Sequence, residues 1–302
     1  MKNQPHFQHY LPESYLNGFA NKKGLVWVYD KKENIFKELP PKVFGGENHF
    51  YSIKKGPGKF DTTVEDGLRD VDGMYMTILR KLQNNEQLDH EDRGNLSMIL
   101  ALFMTRTPHF KNWVEEGSIQ SMRMIMKISA SHKESYYQKL KNLGVPESQW
   151  EETRLSALED DYDIVPGRGY SLEMMIKLAL DIAPLLYSFE WFVGIVPSTT
   201  SFITTDNPVA LIPTDGQQHD NFWGIGLLTP GITIHFPLDR ERMLGMRFTE
   251  KPTEFITYGK ITDRSAIRKI NHDLFLYTDR YAVARDEAWI KRIEELTRNR
   301  ND

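Results

Sequence analysis

The chain has 302 residues, no cysteine, 40% hydrophobic residues and a formal net charge of −4 from 38 basic and 42 acidic side chains. The lack of cysteine excludes disulfides, thiolate catalysis and cysteine-ligated zinc. The near-balance of charge gives no overall attraction to nucleic acid, but it does not exclude a local basic groove that binds nucleic acid. No apolar run approaches the ~20 residues that span a bilayer, and the first residues lack a signal-peptide pattern, so we expect a cytoplasmic protein.

Residues 1–60 predict a short helix followed by a β-hairpin. Pro12 stands at a helix start, and the apolar residues after it recur at helical spacing. The segments "LVWVYD" and "NIFKEL" are β-rich and are separated by a short charged turn, which predicts a hairpin. The segment "HFYSI", residues 49–53, is a candidate third strand, and "KKGPGK" predicts a basic turn.

Residues 61–188 predict a helical region. One apolar stripe runs from residue 64 to residue 82, and a second helix follows Asp89 and ends or kinks near Pro108. A methionine-rich stretch over residues 118–144 is also helical in pattern. Ser171 is the predicted N-cap of the last helix, "LEMMIKLALDIAPLLY".

Residues 189–302 predict a mainly antiparallel β-region that ends in a helix. Short β-rich segments alternate with turn residues, "LFLYT" and "RYAVA" are expected to be the last strands, and Asp286 is expected to cap the terminal helix. This order of elements predicts an α+β fold. Because no composition shift marks a linker, we expect residues 1–302 to form a single compact unit.

The segment "SFITTDNPVAL", residues 201–211, carries unusual polarity within an apolar stretch. Thr204, Thr205, Asp206 and Asn207 interrupt a strand just before Pro208. Two hydroxyls, a carboxylate and an amide suit a metal or a polar ligand. The alternative is an Asx turn that only joins two strands.

Three further segments carry candidate functional groups. His9 is framed by aromatic residues, so it is a core residue, a metal ligand or a general base. Glu65 and Asp72 share one helix face and could approach a cation, or they form a capping box and a surface salt bridge. Arg106, in "TRTPHF", suits a clamp for phosphate or carboxylate, or a charge at a helix C-terminus.

Taken in order, these four segments resemble a bacterial family known as domain of unknown function 4238. Its opening pattern, a histidine and an aromatic residue before P-x-x-Y-L-x-x-F, is matched from His9 to Phe19. Two acidic positions seven apart follow, where the family more often has glutamate at the position of Asp72. An R-T-P segment and a T-[ST]-D-N-P-V segment complete the pattern, from Arg106 and from Thr204.

The resemblance covers nearly the whole chain and implies that His9, Glu65, Arg106, Asp206 and Asn207 meet around one cavity. It implies a defence-type genetic context and brings no established reaction with it. No phosphate-binding loop, dinucleotide fingerprint, zinc-protease motif, nucleophile elbow or EF-hand loop occurs in the sequence.

Two functions and a structural alternative follow from these residues. The first is a metal-dependent hydrolase of phosphate esters, nucleases included, for which Lys54, Lys55 and Lys59 would form a basic strip. The second is a non-catalytic module that binds a small anionic, nucleotide-like ligand. The third is a structural or interaction protein. The sequence also allows a homo-oligomer. For the hydrolase, the predicted residues are His9, Arg106 and Asn207 for catalysis, Thr205 and Tyr15 for substrate, and Asp206, Glu65 and Asp72 for Mg²⁺ or Mn²⁺.

Overall fold

The computed structural model describes residues 7–56, 59–214 and 226–301. Its internal contacts divide the chain into two compact units. The first, called the main unit below, consists of Met1–His109 and Met175–Asp302, and the second, the helical unit, consists of Phe110–Met174. The fold is α+β, as the sequence predicts, whereas the single compact unit stays a prediction.

The helices and strands follow one another in the predicted regions of the chain. The helices are α1 Glu13–Asn17, α2 Thr63–Gln83, α3 His90–Thr105, α4 Pro108–Ser131, α5 Lys133–Asn142, α6 Trp150–Glu159, α7 Arg168–Tyr187, α8 Arg264–Leu276 and α9 Glu287–Asn301. The strands are β1 Phe7–His9, β2 Val26–Asp30, β3 Ile35–Leu39, β4 Gly46–Asn48, β5 Ile53–Gly56, β6 Lys59–Asp61, β7 Glu190–Ile195, β8 Thr204–Thr205, β9 Ala210–Pro213, β10 Ile232–Pro237, β11 Arg242–Arg247, β12 Thr257–Lys260 and β13 Tyr281–Ala284.

In its described residues, the main unit contains two larger sheets and two short strand pairs. The five-stranded sheet has the order β12-β7-β11-β10-β9 and is antiparallel except where β12 runs parallel to β7. The four-stranded sheet, β3-β2-β13-β8, is antiparallel throughout. Because β13 lies between β2 and β8, the polar segment after β8 is held next to the last strand of the chain. The short pairs are β1 with β4 and β5 with β6.

Each unit has its own apolar core. In the main unit, Tyr15 on α1 stacks on Phe236 of β10 with 5.3 Å between ring centroids and contacts Phe103 of α3 at 5.0 Å. These contacts fix the start of the chain against the sheet and against α3. In the helical unit, α4, α5 and α6 bury a smaller cluster around Tyr136 and Leu140. Within the described residues, no helix combines the length and apolar character needed to cross a membrane.

Three details of the sequence prediction are wrong. Residues 49–52 form a turn instead of a strand, and His49 has a left-handed φ of 57°. The "LFL" of "LFLYT" belongs to α8, because Ile267, Leu274 and Phe275 pack on one helix face in the core. Ser171 lies inside α7 and does not cap it. The predicted turn "KKGPGK" includes Pro57 and Gly58, which lie outside the described residues.

Candidate functional site

The pairing of β1 with β4 places His9. The backbone N–H groups of Tyr10 and Leu11 both donate to the carbonyl of Gly45 at 2.9 Å, which fixes the chain just after the histidine. The Nε2 atom of His9 lies 3.2 Å from the carbonyl of Lys42. A carbonyl only accepts, so the proton of the neutral ring is on Nε2 and the lone pair is on Nδ1. Burial lowers the pKa of His9, against the opposing effects of the Lys42 carbonyl and of the Glu13 and Asp72 carboxylates.

The helix α2 carries Glu65 and Asp72 on one face, two turns apart. The N-cap residue Thr62 makes no side-chain capping bond, so the predicted capping box does not account for Glu65. Across the described part of the chain, the carboxylate of Glu65 makes no hydrogen bond and no ion pair. Burial raises its pKa, and the nearby carboxylates of Asp72 and Asp66 add to this effect, whereas Arg69 and Arg106 oppose it.

The guanidinium of Arg106 is the most deeply buried charge in this region. Arg106 is the C-cap residue of α3, is 1% exposed, and donates from Nη1 to Oδ1 of Asp72 at 3.0 Å. Its central carbon lies 4.4 Å from the ring centroid of Phe103. The Nε and Nη2 atoms are buried, and neither has a hydrogen-bond acceptor among the residues described. A buried N–H without an acceptor is uncommon in folded proteins and calls for an explanation.

The sequence gives no signal for Tyr51, which completes this cluster. Its side chain is 1% exposed, and its hydroxyl donates to the carbonyl of His9 at 3.3 Å. Burial raises its pKa, and the charges of Arg106, Asp72 and Glu65 act on it as well. The side chain of Gln8 holds Tyr51 in place, because Oε1 of Gln8 accepts from the backbone N–H of Tyr51 at 2.7 Å. The Arg106 cluster, as named below, consists of His9, Tyr51, Glu65, Asp72 and Arg106.

Asp206 forms a separate group with the backbone that leads into β13. Its Oδ1 accepts from the N–H of Asp279 at 3.0 Å, and its Oδ2 accepts from those of Arg280 at 2.7 Å and Tyr281 at 2.9 Å. The side chain is 2% exposed, and burial raises its pKa to about 6 against the effect of these three donors. The carboxylate therefore binds three consecutive backbone N–H groups and holds the chain in place where β13 begins.

The other polar residues of this segment make internal hydrogen bonds. The hydroxyl of Thr205 accepts from the N–H of Asn207 at 3.1 Å and donates to its carbonyl at 2.8 Å. The hydroxyls of Thr204 and Tyr15 lie 2.6 Å apart, and both side chains are fully buried. This pair ties α1 to β8 in the core. The predicted substrate contacts of Tyr15 and Thr205 and the predicted catalytic role of Asn207 stay predictions.

The turn between α3 and α4 connects these two groups. Arg106 begins the turn and contacts Asp72, whereas His109 lies with its Nδ1 3.8 Å from Oδ1 of Asp279. The N–H of Asp279 in turn donates to Asp206. The structure therefore brings His9, Glu65, Asp72 and Arg106 into one cluster and places Asp206 and Asn207 in a neighbouring loop.

Two of the three predicted metal ligands already have other partners. Asp206 uses both oxygens for backbone N–H groups, and Asp72 is paired with Arg106. These ions need several oxygen ligands directed at one point. Over residues 7–56, 59–214 and 226–301, no group of three or more His, Asp or Glu side chains is arranged to hold a metal ion.

The predicted basic strip is only partly described. The ammonium group of Lys55 lies 2.7 Å from Oδ2 of Asp61, so its charge is offset by a neighbouring carboxylate. The side chains of Lys54 and Lys59 lie outside the described residues. The strip therefore stays a prediction.

The fold and the site define an α+β protein with a buried arginine that is paired with one carboxylate and interacts electrostatically with a second carboxylate and a tyrosine. The family model described as protein of unknown function, DUF4238, matches residues 8–288. The chain belongs to this family, as the resemblance of its four segments implies. No curated protein matches the chain, and no solved structure does.

Proposed function

We propose that the Arg106 cluster binds a small, anionic, phosphate-bearing ligand. The observation that carries this proposal is the buried guanidinium of Arg106, whose Nε and Nη2 lack an acceptor among the described residues. Leaving a buried donor unpaired costs about 1–3 kcal/mol, and more for a charged group. Two oxygens of a phosphate or carboxylate can accept from both atoms at once in the bidentate geometry that arginine favours.

The exposure of the cluster indicates the side on which a ligand enters. The side chain of Asp72 is 26% exposed, and His9 and Glu65 are half-buried, whereas Arg106 and Tyr51 are covered. We therefore expect the ligand to approach beside Asp72 and to compete with its carboxylate for the guanidinium. Binding then requires a shift of the Asp72 side chain.

The substitution Arg106→Lys tests this proposal, because it keeps the charge and removes the planar set of donors. We expect the wild type to bind inorganic phosphate or adenosine monophosphate in isothermal titration calorimetry. The variant should bind at least about tenfold more weakly, which is the loss of one charge-assisted hydrogen bond. The control is Arg69→Lys, since Arg69 is an exposed arginine of α2. Equal affinity of Arg106→Lys and wild type for both ligands would contradict the proposal.

Hydrolysis of a phosphate ester is a second candidate function, favoured by the opposite pKa shifts of two residues in the cluster. Burial raises the pKa of Glu65 and lowers that of His9. Environments that separate acid and base roles in this way are typical of catalytic sites. In this candidate, neutral His9 accepts a proton from water on Nδ1, protonated Glu65 donates to the leaving oxygen, and Arg106 stabilises charge on the phosphoryl group.

The pH dependence of hydrolysis tests this candidate with bis(p-nitrophenyl) phosphate as the probe. The rate should rise as His9 loses its proton and fall as Glu65 loses its own, which gives a bell-shaped profile whose rising limb lies below the usual pKa of histidine. In Glu65→Gln the fall at higher pH should disappear, whereas the exposed-site control Glu91→Gln should keep the wild-type profile. If the wild type shows no turnover, whether Mg²⁺, Mn²⁺ or chelator is added or not, hydrolysis is wrong and ligand binding is the proposed function that remains. The metal requirement and any nuclease activity stay proposals that this assay examines.

A further inference from the structure

We infer that the ligand of the Arg106 cluster is a zwitterion, with an anionic group held by Arg106 and an ammonium or similar cationic group held by Glu65. This inference rests on the proposed function and narrows its ligand class. The observation behind it is that two carboxylates, those of Glu65 and Asp72, lie near the buried guanidinium of Arg106.

The charges of the cluster suit a ligand that carries a cation better than a purely anionic one. Glu65 and Asp72 are acidic, Arg106 is basic, His9 is neutral at pH 7 because its pKa is lowered, and Tyr51 keeps its proton because its pKa is raised. The formal net charge is therefore −1. A phosphate monoester dianion brings the total to −3, and like charges held close together repel one another. A ligand that also carries a cation avoids part of this cost.

Glu65 makes no ion pair with a described residue, although Arg69 and Arg106 act on its carboxylate at longer range. The nearest cation on its own helix is Arg69, whose Nη1 lies 3.4 Å from Oδ1 of Asp66. Asp72, by contrast, already has Arg106 at 3.0 Å. A half-buried carboxylate without a partner is costly, and an ammonium group would supply both a charge and three donors.

The distance along α2 sets the size of the ligand. Glu65 and Asp72 are seven residues apart, which corresponds to about 10 Å of helix rise. An anion seated on Arg106 beside Asp72 and a cation beside the carboxylate of Glu65 are therefore held at two separate points along the helix. A ligand with a short chain between its two charged groups reaches towards both points, whereas a bare phosphate does not.

The test compares monoethyl phosphate with phosphoethanolamine, which differ only in the ammonium group, by calorimetry at pH 7. In the wild type we expect phosphoethanolamine to bind at least tenfold more tightly. In Glu65→Gln this advantage should fall to less than threefold, while monoethyl phosphate binds as in the wild type or better. Glu91→Gln, an exposed glutamate in the first turn of α3, serves as the matched control and should keep the full advantage.

The outcomes separate this inference from the proposed function. If both probes bind the wild type with equal affinity, or if Glu65→Gln weakens both equally, the inference is wrong and anion binding at Arg106 stands. If neither probe binds the wild type, both the inference and the proposed function are wrong.

Discussion

The substitution Asp206→Ala is expected to lower the free energy of unfolding by about 3 kcal/mol, because it removes the carboxylate that accepts from three partly buried backbone donors. The N–H groups of Asp279, Arg280 and Tyr281 all donate to this carboxylate at 2.7–3.0 Å. Alanine leaves them unpaired at the start of β13. The pairing of β13 with β8 should weaken as well, since Asp206 also donates from its backbone N–H to the carbonyl of Tyr281.

Urea denaturation followed by circular dichroism measures this effect. Asp206→Asn should lose less stability than Asp206→Ala, because the amide keeps one acceptor oxygen of similar position. Asp181→Ala, at an exposed position of α7, is the matched control and should stay within ~0.5 kcal/mol of the wild type. If Asp206→Ala unfolds at the same urea concentration as this control, the structural role of the carboxylate is wrong.

The substitution Gly46→Ala is expected to destabilise the pairing of β1 with β4 by about 3 kcal/mol, at the upper end of the usual cost of overpacking. A Cβ at this position would lie 2.5 Å from the carbonyl oxygen of Gln8 and 2.8 Å from the ring of Phe7. The first of these is a backbone atom that cannot move without breaking the register in which His9 faces Gly46. Since β1 carries both Gln8 and His9, the clash should also displace His9 from the Arg106 cluster.

Two measurements check this prediction, namely the melting temperature and the phosphate affinity of the same variant. Both should fall. Gly67→Ala is the control, because a Cβ there meets nothing within 4 Å inside α2, and alanine should stabilise that helix by roughly 0.5–1 kcal/mol. A Gly46→Ala variant as stable as the wild type would show that β1 can shift at little cost.

The sequence predicts those helices and strands that are marked by a cap, a proline or a turn within a few residues of their ends. Asp89 and Asp286 cap α3 and α9 through their own side chains, and Pro108 begins α4 after α3 has ended. The hairpin of β2 and β3 follows from alternation and a polar turn. The sequence predicts a strand at the last turn of α8, because "LFLYT" has β-rich composition and its helical face is visible only with Ile267 included.

The candidate site is predictable only in part, because local patterns mark single residues and not the contacts between distant ones. His9, Glu65, Asp72 and Arg106 were selected as polar residues within patterned segments, and they are neighbours in the structure. The backbone donors to Asp206 lie 73 to 75 positions along the chain, so no local pattern distinguishes a cap from a metal ligand there. The sequence predicts a strand at Tyr51, and nothing in it indicates that the tyrosine hydroxyl reaches the carbonyl of His9.

The position of β13 between β2 and β8 has a consequence for how the chain is made. The hairpin of β2 and β3 leaves the ribosome more than 240 residues before its neighbour Tyr281–Ala284 exists. Until then, one edge of β2 and one edge of β8 have no partner strand, and such edges favour aggregation. Contacts between distant parts of a chain also slow folding. Nascent chains that stop before residue 281 should therefore need chaperone protection that the finished protein does not.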